Sequence, residues 1–235
     1  MFEFAELDYQ ETPLGAISLR RRSEPRLGGK ILYEVKLGEE FLMSSLFVKA
    51  EEQLAALALQ SLDAEELDVV VGGLGLGYTA AEALDNEAVR SLLVIETMAP
   101  VISWHRLGLV PLGDKLALNS RCSLVHGDFF KLAASSGGFD PDNPGRLFHA
   151  VLLDIDHSPS HWLDTGNSAF YTGAGLTALA ASLHPGGVFG LWSNDPPDEA
   201  FSSLLAEVFA SAEFHLVTFP NPYTGGESSN TIYLA

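Results

Sequence analysis

The sequence contains a single cysteine, Cys122, among 235 residues. One thiol cannot form an internal disulfide, and it cannot supply a cysteine-cluster metal site. Apolar runs long enough to cross a bilayer are also missing, because Asp, Glu or Gly interrupts the longest candidates. The first residues are acidic and lack the basic-then-apolar order of a signal peptide. We therefore expect a soluble, cytoplasmic protein that binds no metal and does not insert into a membrane.

Positive charge is scarce as well. The chain has 13 Lys and Arg against 31 Asp and Glu, which gives a formal net charge of −18. A field of this sign repels phosphate backbones and argues against nucleic acid as a partner. It attracts cations, including polyamines, by long-range steering. An acidic surface also keeps proteins dispersed in solution, so the charge alone does not identify a ligand.

The hydrophobic pattern divides the chain into two parts. Up to about residue 47, short strands are predicted at 15–22, 30–37 and 40–45, separated by turn residues. A helical periodicity follows over 48–62. We therefore predict a small N-terminal β-hairpin domain at 1–47 and a nucleotide-binding domain at 48–235.

From residue 67 onward, apolar runs alternate with helical segments. Continuous apolar strands joined by helices indicate a parallel sheet that is covered on both faces. The last two strands, predicted at 213–219 and 230–235, are separated by a turn without a helix, which predicts an antiparallel pair closing the sheet. The five earlier strands are predicted at 67–72, 91–96, 122–128, 149–156 and 187–193.

A glycine-rich loop follows the first of these strands, in the segment VVVGGLGLGYTAAEAL. Glycines allow a tight turn and a close approach to a ligand, and the helix that begins near Tyr78 offers free N–H groups with a partial positive charge. Residues 75–80 also satisfy the G-x-G-x-x-G/A dinucleotide pattern, so a nicotinamide dinucleotide stays open here. The predicted ligand-binding glycines are Gly72, Gly73, Gly75 and Gly77.

Acidic residues follow the next three strands. Glu96 ends the second strand, nineteen residues after the last glycine of the loop, where an acid can accept hydrogen bonds from ribose hydroxyls. Gly127 and Asp128 lie at the end of the third strand, and Asp128 either bonds an adenine amino group or caps the next turn. Asp154 and Asp156 lie at the end of the fourth strand, two positions apart, so on a continuing strand they point to opposite faces and only one looks into the site. Because ligands of open α/β sheets bind beyond the carboxyl ends of the strands, we expect these sites to meet in one crevice.

This order of motifs resembles the class I S-adenosylmethionine-dependent methyltransferase fold and, more narrowly, the spermidine synthase (polyamine aminopropyltransferase) family. The resemblance runs from about residue 30 to the end and is clearest from 68 to 195. It implies an α/β, seven-stranded Rossmann-like sheet, mostly parallel with an antiparallel C-terminal strand, and a small N-terminal β-domain. It also implies S-adenosylmethionine or its decarboxylated form as cofactor, a small-molecule amine or polyamine as acceptor, and a homodimer.

The resemblance assigns roles to the matching residues. Asp154 matches the family's catalytic Asp and is our candidate base, which Asp156 or His157 would assist, and Tyr171 matches the second residue of an FY pair that opens the next helix. The expected cofactor-binding residues are Gly72, Gly73, Gly75, Gly77, Glu96, Gly127, Asp128 and Asp154. On the acceptor side we expect Asp156, Asp164 and Trp192.

The sequence also departs from the family's pattern. Gly75 stands where the family has an Asp that holds the free amine of the decarboxylated cofactor, and His157 replaces a second catalytic-loop Asp. Val71 stands where many methyltransferases place an acid. The family's Tyr-His-Glu has no good match, although Glu51 or Glu52 could replace its Glu.

The cofactor and the reaction consequently have alternatives. A loop of amides without an acid suits the carboxylate of intact S-adenosylmethionine, or the methylthioadenosine portion that both forms share. The alternative function is an S-adenosylmethionine-dependent methyltransferase that acts on a small molecule. Two lower-ranked alternatives are a non-catalytic binding protein of this fold and an NAD-dependent oxidoreductase.

Overall fold

The computed structural model describes residues 3–235, so the first two residues of the predicted N-terminal domain lie outside it. The N-terminal part forms a four-stranded antiparallel sheet in the order of the sequence. Its strands are β1 (Phe4–Thr12), β2 (Gly15–Glu24), β3 (Lys30–Leu37) and β4 (Glu40–Ser44).

The remainder alternates strands and helices around a second sheet. Its strands are β5 (Leu67–Gly72), β6 (Val89–Glu96), β7 (Cys122–His126), β8 (Phe148–Leu153), β9 (Leu183–Ser193), β10 (Glu213–Asn221) and β11 (Gly226–Leu234). The helices are α1 (Lys49–Gln60), α2 (Tyr78–Asp85), α3 (Ala99–Arg106), α4 (Gly113–Ala117), α5 (Phe129–Ala134), α6 (Gly173–Ala180) and α7 (Glu199–Val208). Within residues 3–235, no helix is long and apolar enough to cross a membrane.

The seven strands lie in the order β10-β11-β9-β8-β5-β6-β7. The pairs from β9 to β7 are parallel, whereas β11 runs antiparallel to both β9 and β10. The predicted fold class is therefore confirmed, including the antiparallel C-terminal strand. The division between residues 47 and 48 stays a prediction.

Two apolar clusters cover the two faces of this sheet. Side chains alternate along β5, so that Val69 and Val71 pack with α1 to α3 while Val70 packs with α5 to α7. All six residues of β5 are buried, which explains the continuous apolar run in the sequence. Burying each of these valines stabilises the fold by about 1.5–3 kcal/mol before cavity terms.

Several strands differ from the sequence expectation, above all β1, β9 and β11. β1 was not predicted, because its residues are mostly half-buried or exposed and include three acids, so the alternation is weak. It forms by pairing with β2, and Asp8 also accepts a hydrogen bond from the Trp104 indole at 2.6 Å. β9 begins at Leu183 and β11 at Gly226, each four residues before the predicted start of the strand.

At the opposite end of β5 from the glycine loop, Asp68 lies close to two histidines. Its ligand atom and those of His149 and His184 lie within 4.8 Å of one another. Burial opposes ionisation of Asp68, but hydrogen bonds from Arg90, Ser91 and Arg146 outweigh it and hold the pKa of this carboxyl well below its usual range. Because two guanidinium groups already neutralise Asp68, this cluster does not attract a cation.

Candidate functional site

A large cavity lies at the carboxyl ends of the parallel strands. Its volume is about 1440 Å³, which exceeds the usual size of a single-ligand pocket and leaves room for a cofactor and a second substrate. The turns after β5 to β9 form its floor, and residues of β3 and β4 with the β1–β2 turn and the β10–β11 hairpin form the remaining walls. This is the crevice that the order of motifs predicted.

The glycine loop begins at the floor of the cavity. Gly73 has φ +92°, and a Cβ at this position would overlap the carbonyl oxygen of Asp154. Gly72, the last residue of β5, packs against the ring of Phe129 with no room for a side chain. Gly77 is the N-cap of α2. The packing of the chain itself therefore requires glycine at Gly72 and Gly73. Because the glycines of the loop carry no side chain, the N-terminus of α2 faces the cavity.

Gly75 is enclosed by two side chains from distant parts of the sequence. A Cβ on Gly75 would lie 2.5 Å from the sulfur of Met43, which also accepts the Leu76 N–H at 3.1 Å. His105 is fully buried, and its Nε2 donates to the Gly75 carbonyl at 2.9 Å. A side chain at position 75 would displace the end of Met43 and would have to adopt a φ of +47°, and the loop as it stands offers amides and a thioether to a ligand.

Glu96 lies beside the loop at the end of β6. Its two carboxylate oxygens accept backbone N–H groups of Leu74 at 3.0 Å and Met98 at 2.8 Å. Burial raises the pKa of Glu96, and these hydrogen bonds oppose the rise. The carboxylate lines the cavity and keeps lone pairs that can accept ribose hydroxyls.

Gly127 and Asp128 lie at the end of β7 and also line the cavity. Asp128 is the N-cap of α5, where it accepts the Lys131 N–H at 3.1 Å and pairs with the Lys131 ammonium at 2.9 Å. The capping role that the sequence left open is therefore realised. The Gly127 N–H donates to the Glu96 carbonyl, which joins the ends of the two strands.

Asp154 follows β8 at the centre of the floor. It accepts the Thr79 hydroxyl at 2.7 Å, and burial raises its pKa to about 6. Glu51, in the first turn of α1, lines the same cavity and is 7% exposed. Burial, and after it the negative charge of Asp154, raise the pKa of Glu51 well above its usual range. Burial and the repulsion between the two carboxylates therefore favour the protonated form of Glu51.

Asp156 and Tyr171 contact each other instead of lining the cavity. Asp156 is 1% exposed and accepts the Tyr171 hydroxyl at 2.8 Å, the Leu163 N–H at 2.8 Å and the Asn167 amide at 2.9 Å. Burial raises the pKa of the carboxyl. Asp154 and Asp156 thus point in different directions, as the alternation of side chains predicted, and Asp156 fixes the loop that follows β8.

His157, Asp164 and Trp192 all line the cavity. The Nε2 of His157 lies 2.6 Å from a carboxylate oxygen of Glu40, which connects this loop to β4. Asp164 accepts the Gly166 N–H at 2.6 Å and caps a 3₁₀ turn. The indole N–H of Trp192 is buried and has no hydrogen-bond partner within residues 3–235, a situation that costs about 1–3 kcal/mol.

The charge of the cavity is negative. One lysine, Lys131, lines it within the described part of the chain, and Asp128 already pairs with it. The lining carboxyl groups belong to Glu11, Glu51, Glu96, Asp128, Asp154 and Asp164. An excess of carboxylates around a partly closed cavity raises the local concentration of cations. The site is therefore complementary to a positively charged ligand.

Comparisons with known proteins agree with this architecture. No protein-family model matches the sequence. A spermidine synthase solved in complex with the transition-state analogue AdoDATO is 19% identical with a TM-score of 0.73, over 97% of this chain and 72% of that chain. The spermidine synthase from Thermotoga maritima is 18% identical with a TM-score of 0.70, over 97% of this chain and 71% of that chain. The protein therefore has a spermidine synthase-like fold.

Proposed function

We propose that the protein is a transferase that moves an alkyl group from an adenosyl sulfonium to an amine. The donor is S-adenosylmethionine or its decarboxylated form, and the first reaction to consider is aminopropyl transfer to a polyamine or another amine. The observation that supports this most is the position of Asp154, whose backbone contacts the glycine loop while its carboxyl group lines the cavity beside Glu51.

The transfer needs a base but no metal chemistry. The nitrogen of the acceptor attacks the carbon bonded to the sulfonium sulfur, so that a C–N bond forms. The C–S bond breaks with its electron pair going to sulfur, which leaves as a neutral thioether. The nitrogen loses one proton, and Asp154, ionised above a pKa of about 6, accepts it. The raised pKa of Glu51 favours its protonated form, in which it has no place for that proton.

The remaining residues would bind the donor. Glu96 would accept the ribose hydroxyls, and the glycine loop would approach the sulfonium and its tail. The carboxyl groups that line the cavity favour a cation over a neutral or anionic ligand. The carboxylate of Asp128 already caps α5, but it keeps lone pairs that could accept a hydrogen bond from the adenine amino group.

Methyl transfer from intact S-adenosylmethionine is a second candidate, and the surroundings of Gly75 favour it. Gly75 itself supplies no carboxylate and the sulfur of Met43 lies beside it, so the ammonium at the end of a decarboxylated donor would lack an acid from this position of the loop. The carboxylate of the intact donor would instead find backbone amides near the start of α2. The same base, Asp154, would serve this reaction.

A product assay separates the two reactions. The protein is incubated with putrescine and either donor, and the released nucleosides are separated by chromatography. We expect methylthioadenosine from the decarboxylated donor if an aminopropyl group moves, and S-adenosylhomocysteine from the intact donor if a methyl group moves.

The Asp154→Asn variant is the matched control for this assay, because it removes the base and keeps the size of the side chain. Release of neither nucleoside, with any of a panel of amines, would leave a binding protein of this fold and would end the transferase proposal.

A further inference from the structure

Glu51 is a buried acid that the proposed reaction leaves unused. It lies in the first turn of α1, is 7% exposed and lines the cavity. Within residues 3–235, the only hydrogen-bond donor that reaches its carboxyl group is its own backbone N–H. The fully enclosed side-chain atoms without a partner belong to Arg20, His105 and Trp192, so the carboxyl oxygens of Glu51 are open to the cavity.

The groups that face Glu51 carry no positive charge. Burial, the negative charge of Asp154 and, more weakly, that of Glu52 raise the pKa of Glu51 well above its usual range. Burial, and after it the charges of Glu52 and Glu51, also raise the pKa of Tyr78 at the start of α2. None of these neighbours is a cation, so the described part of the chain provides Glu51 with no counter-ion.

A buried carboxylate beside a second carboxylate is unfavourable until a proton or a cation neutralises it. Without a ligand, a proton on Glu51 removes the second charge. An ammonium group bound between Glu51 and Asp154 would take the place of that proton, because it is positively charged and has N–H donors for the oxygens of both residues. A carboxyl group that faces the cavity without a partner therefore indicates a cationic group in the ligand.

The donor has such a group close to its reacting carbon. In decarboxylated S-adenosylmethionine, two carbon atoms lie between the reacting carbon and the ammonium nitrogen. The reacting carbon is attacked by the nitrogen whose proton Asp154 accepts, so the ammonium tail stays near Asp154 and within reach of Glu51 beside it. The loop itself supplies no acid for this tail, since Gly75 has no side chain.

We propose that Glu51 binds the ammonium tail of the donor and thereby selects the decarboxylated form. This inference rests on the transferase function proposed above and names the residue that decides between its two donors. Intact S-adenosylmethionine has the same ammonium with a carboxylate on the same carbon, and the acids of the site repel that carboxylate. Paired with the tail, Glu51 acts as a counter-ion and leaves the proton of the reacting nitrogen to Asp154.

Three ligands isolate the contribution of the tail. Methylthioadenosine has no ammonium, the decarboxylated donor has one, and the intact donor has an ammonium and a carboxylate. Each is titrated calorimetrically into the protein without an acceptor. We expect the decarboxylated donor to bind at least about tenfold more tightly than the intact donor, because placing like charges together at an enclosed site is costly. Equal affinities, or tighter binding of the intact donor, overturn the inference.

The Glu51→Gln variant keeps the size of the side chain and removes its charge. It should weaken the decarboxylated donor at least about tenfold, weaken the intact donor less and leave methylthioadenosine unchanged. Loss of affinity by the same factor for both sulfonium compounds would assign Glu51 to the sulfonium and overturn the inference. Weaker binding of putrescine alone, titrated in parallel, would assign Glu51 to the acceptor and would overturn it too.

Glu52→Gln is the matched control for this variant. It removes the same charge from the next residue of α1, which does not line the cavity, so all three affinities should stay at their wild-type values. Thermal melting verifies that both variants fold.

Proton release tests the same contact in the wild type. If the ammonium replaces the proton of Glu51, binding of the decarboxylated donor at about pH 7 releases up to about one proton. Asp154 contributes little to this release, because its pKa of about 6 leaves it mostly ionised. Binding enthalpies in phosphate and in Tris buffer give the number of protons. Equal numbers for the wild type and Glu51→Gln contradict the inference.

The two proposals fail in different ways. An unchanged ratio of donor affinities in Glu51→Gln, together with nucleoside release in the product assay, removes this inference and keeps the transferase. The absence of any released nucleoside removes the transferase, whatever the affinities of the donors.

Discussion

Replacement of Asp154 with asparagine is expected to lower kcat/KM for group transfer by about a thousandfold, within the range that general bases contribute. Asparagine keeps the shape of the side chain and its carbonyl still accepts the Thr79 hydroxyl, but the amide cannot accept a proton from the acceptor nitrogen. Because the backbone of Asp154 contacts the glycine loop and its side chain is retained in size, the affinity for the donor should change little.

The pH dependence of the wild type follows from the same group. Asp154 is a base only when ionised, and burial raises its pKa to about 6, so kcat/KM should rise as the pH increases through about 6. Below that pH the carboxyl is protonated and the base is lost. The acid limb should be absent from the residual activity of Asp154→Asn.

An exposed aspartate provides the control for the change in charge. Asp142 is an exposed loop residue outside the cavity, and Asp142→Asn removes the same formal charge without touching the site. It should keep the wild-type rate and pH profile. Unchanged turnover in Asp154→Asn would remove Asp154 from the catalytic role.

The Gly73→Ala variant is expected to abolish donor binding and to destabilise the fold by about 3 kcal/mol. Two contributions add to this loss, the strain of a side chain at positive φ and the overpacking by the new Cβ. The new Cβ would overlap the backbone carbonyl of Asp154, and neither backbone segment can move without displacing the loop or the end of β8. Calorimetric titration of the donor and denaturant unfolding measure the two effects.

Gly29→Ala separates the steric overlap from the strain of the backbone. Gly29 has φ +85°, close to the +92° of Gly73, but an added Cβ would have no atom within 4 Å. In this variant the free energy of unfolding should fall by only about 1–2 kcal/mol, the strain of a positive φ, and the affinity for the donor should be kept. Equal stability losses in the two variants, with donor binding retained in both, would contradict the close contact between the loop and Asp154.

Local pattern predicted most of the seven-stranded sheet, because buried parallel strands and their covering helices each have a distinct periodicity. β5 was predicted with both ends correct, and β10 and β11 were recognised as an antiparallel pair. β1 has no such signal. It forms a hairpin with β2, and the hydrogen bond from Trp104 to Asp8 joins residues 96 positions apart in the chain, a contact that no local pattern encodes.

In the site, too, some residues follow from the local pattern and others depend on tertiary contacts. Glu96, Asp128 and Asp154 line the cavity because the topology brings the carboxyl ends of parallel strands together, and their positions follow from the strand pattern. Asp156 also follows β8, and the alternation predicted that it points away from Asp154, but its hydrogen-bond partners lie up to fifteen positions later in the chain, which no periodicity encodes.

Three further residues of the site come from outside the strand ends. Met43 and His105 enclose Gly75, and Glu51 lies beside Asp154, although they belong to β4, α3 and α1. The sequence offered a signal for one of them only, because Glu51 or Glu52 could replace the Glu of the Tyr-His-Glu in the family that the sequence resembles. Their approach is determined by how the N-terminal part packs on the seven-stranded sheet.

Calorimetric titration with S-adenosylmethionine, its decarboxylated form and NAD tests the identity of the donor most directly. We expect at least one of the two sulfonium compounds to bind and NAD not to bind, and the Gly73→Ala variant to bind none of the three. Tighter binding of the intact form would favour methyl transfer, and tighter binding of the decarboxylated form would favour aminopropyl transfer. Binding of NAD alone would contradict the proposed function.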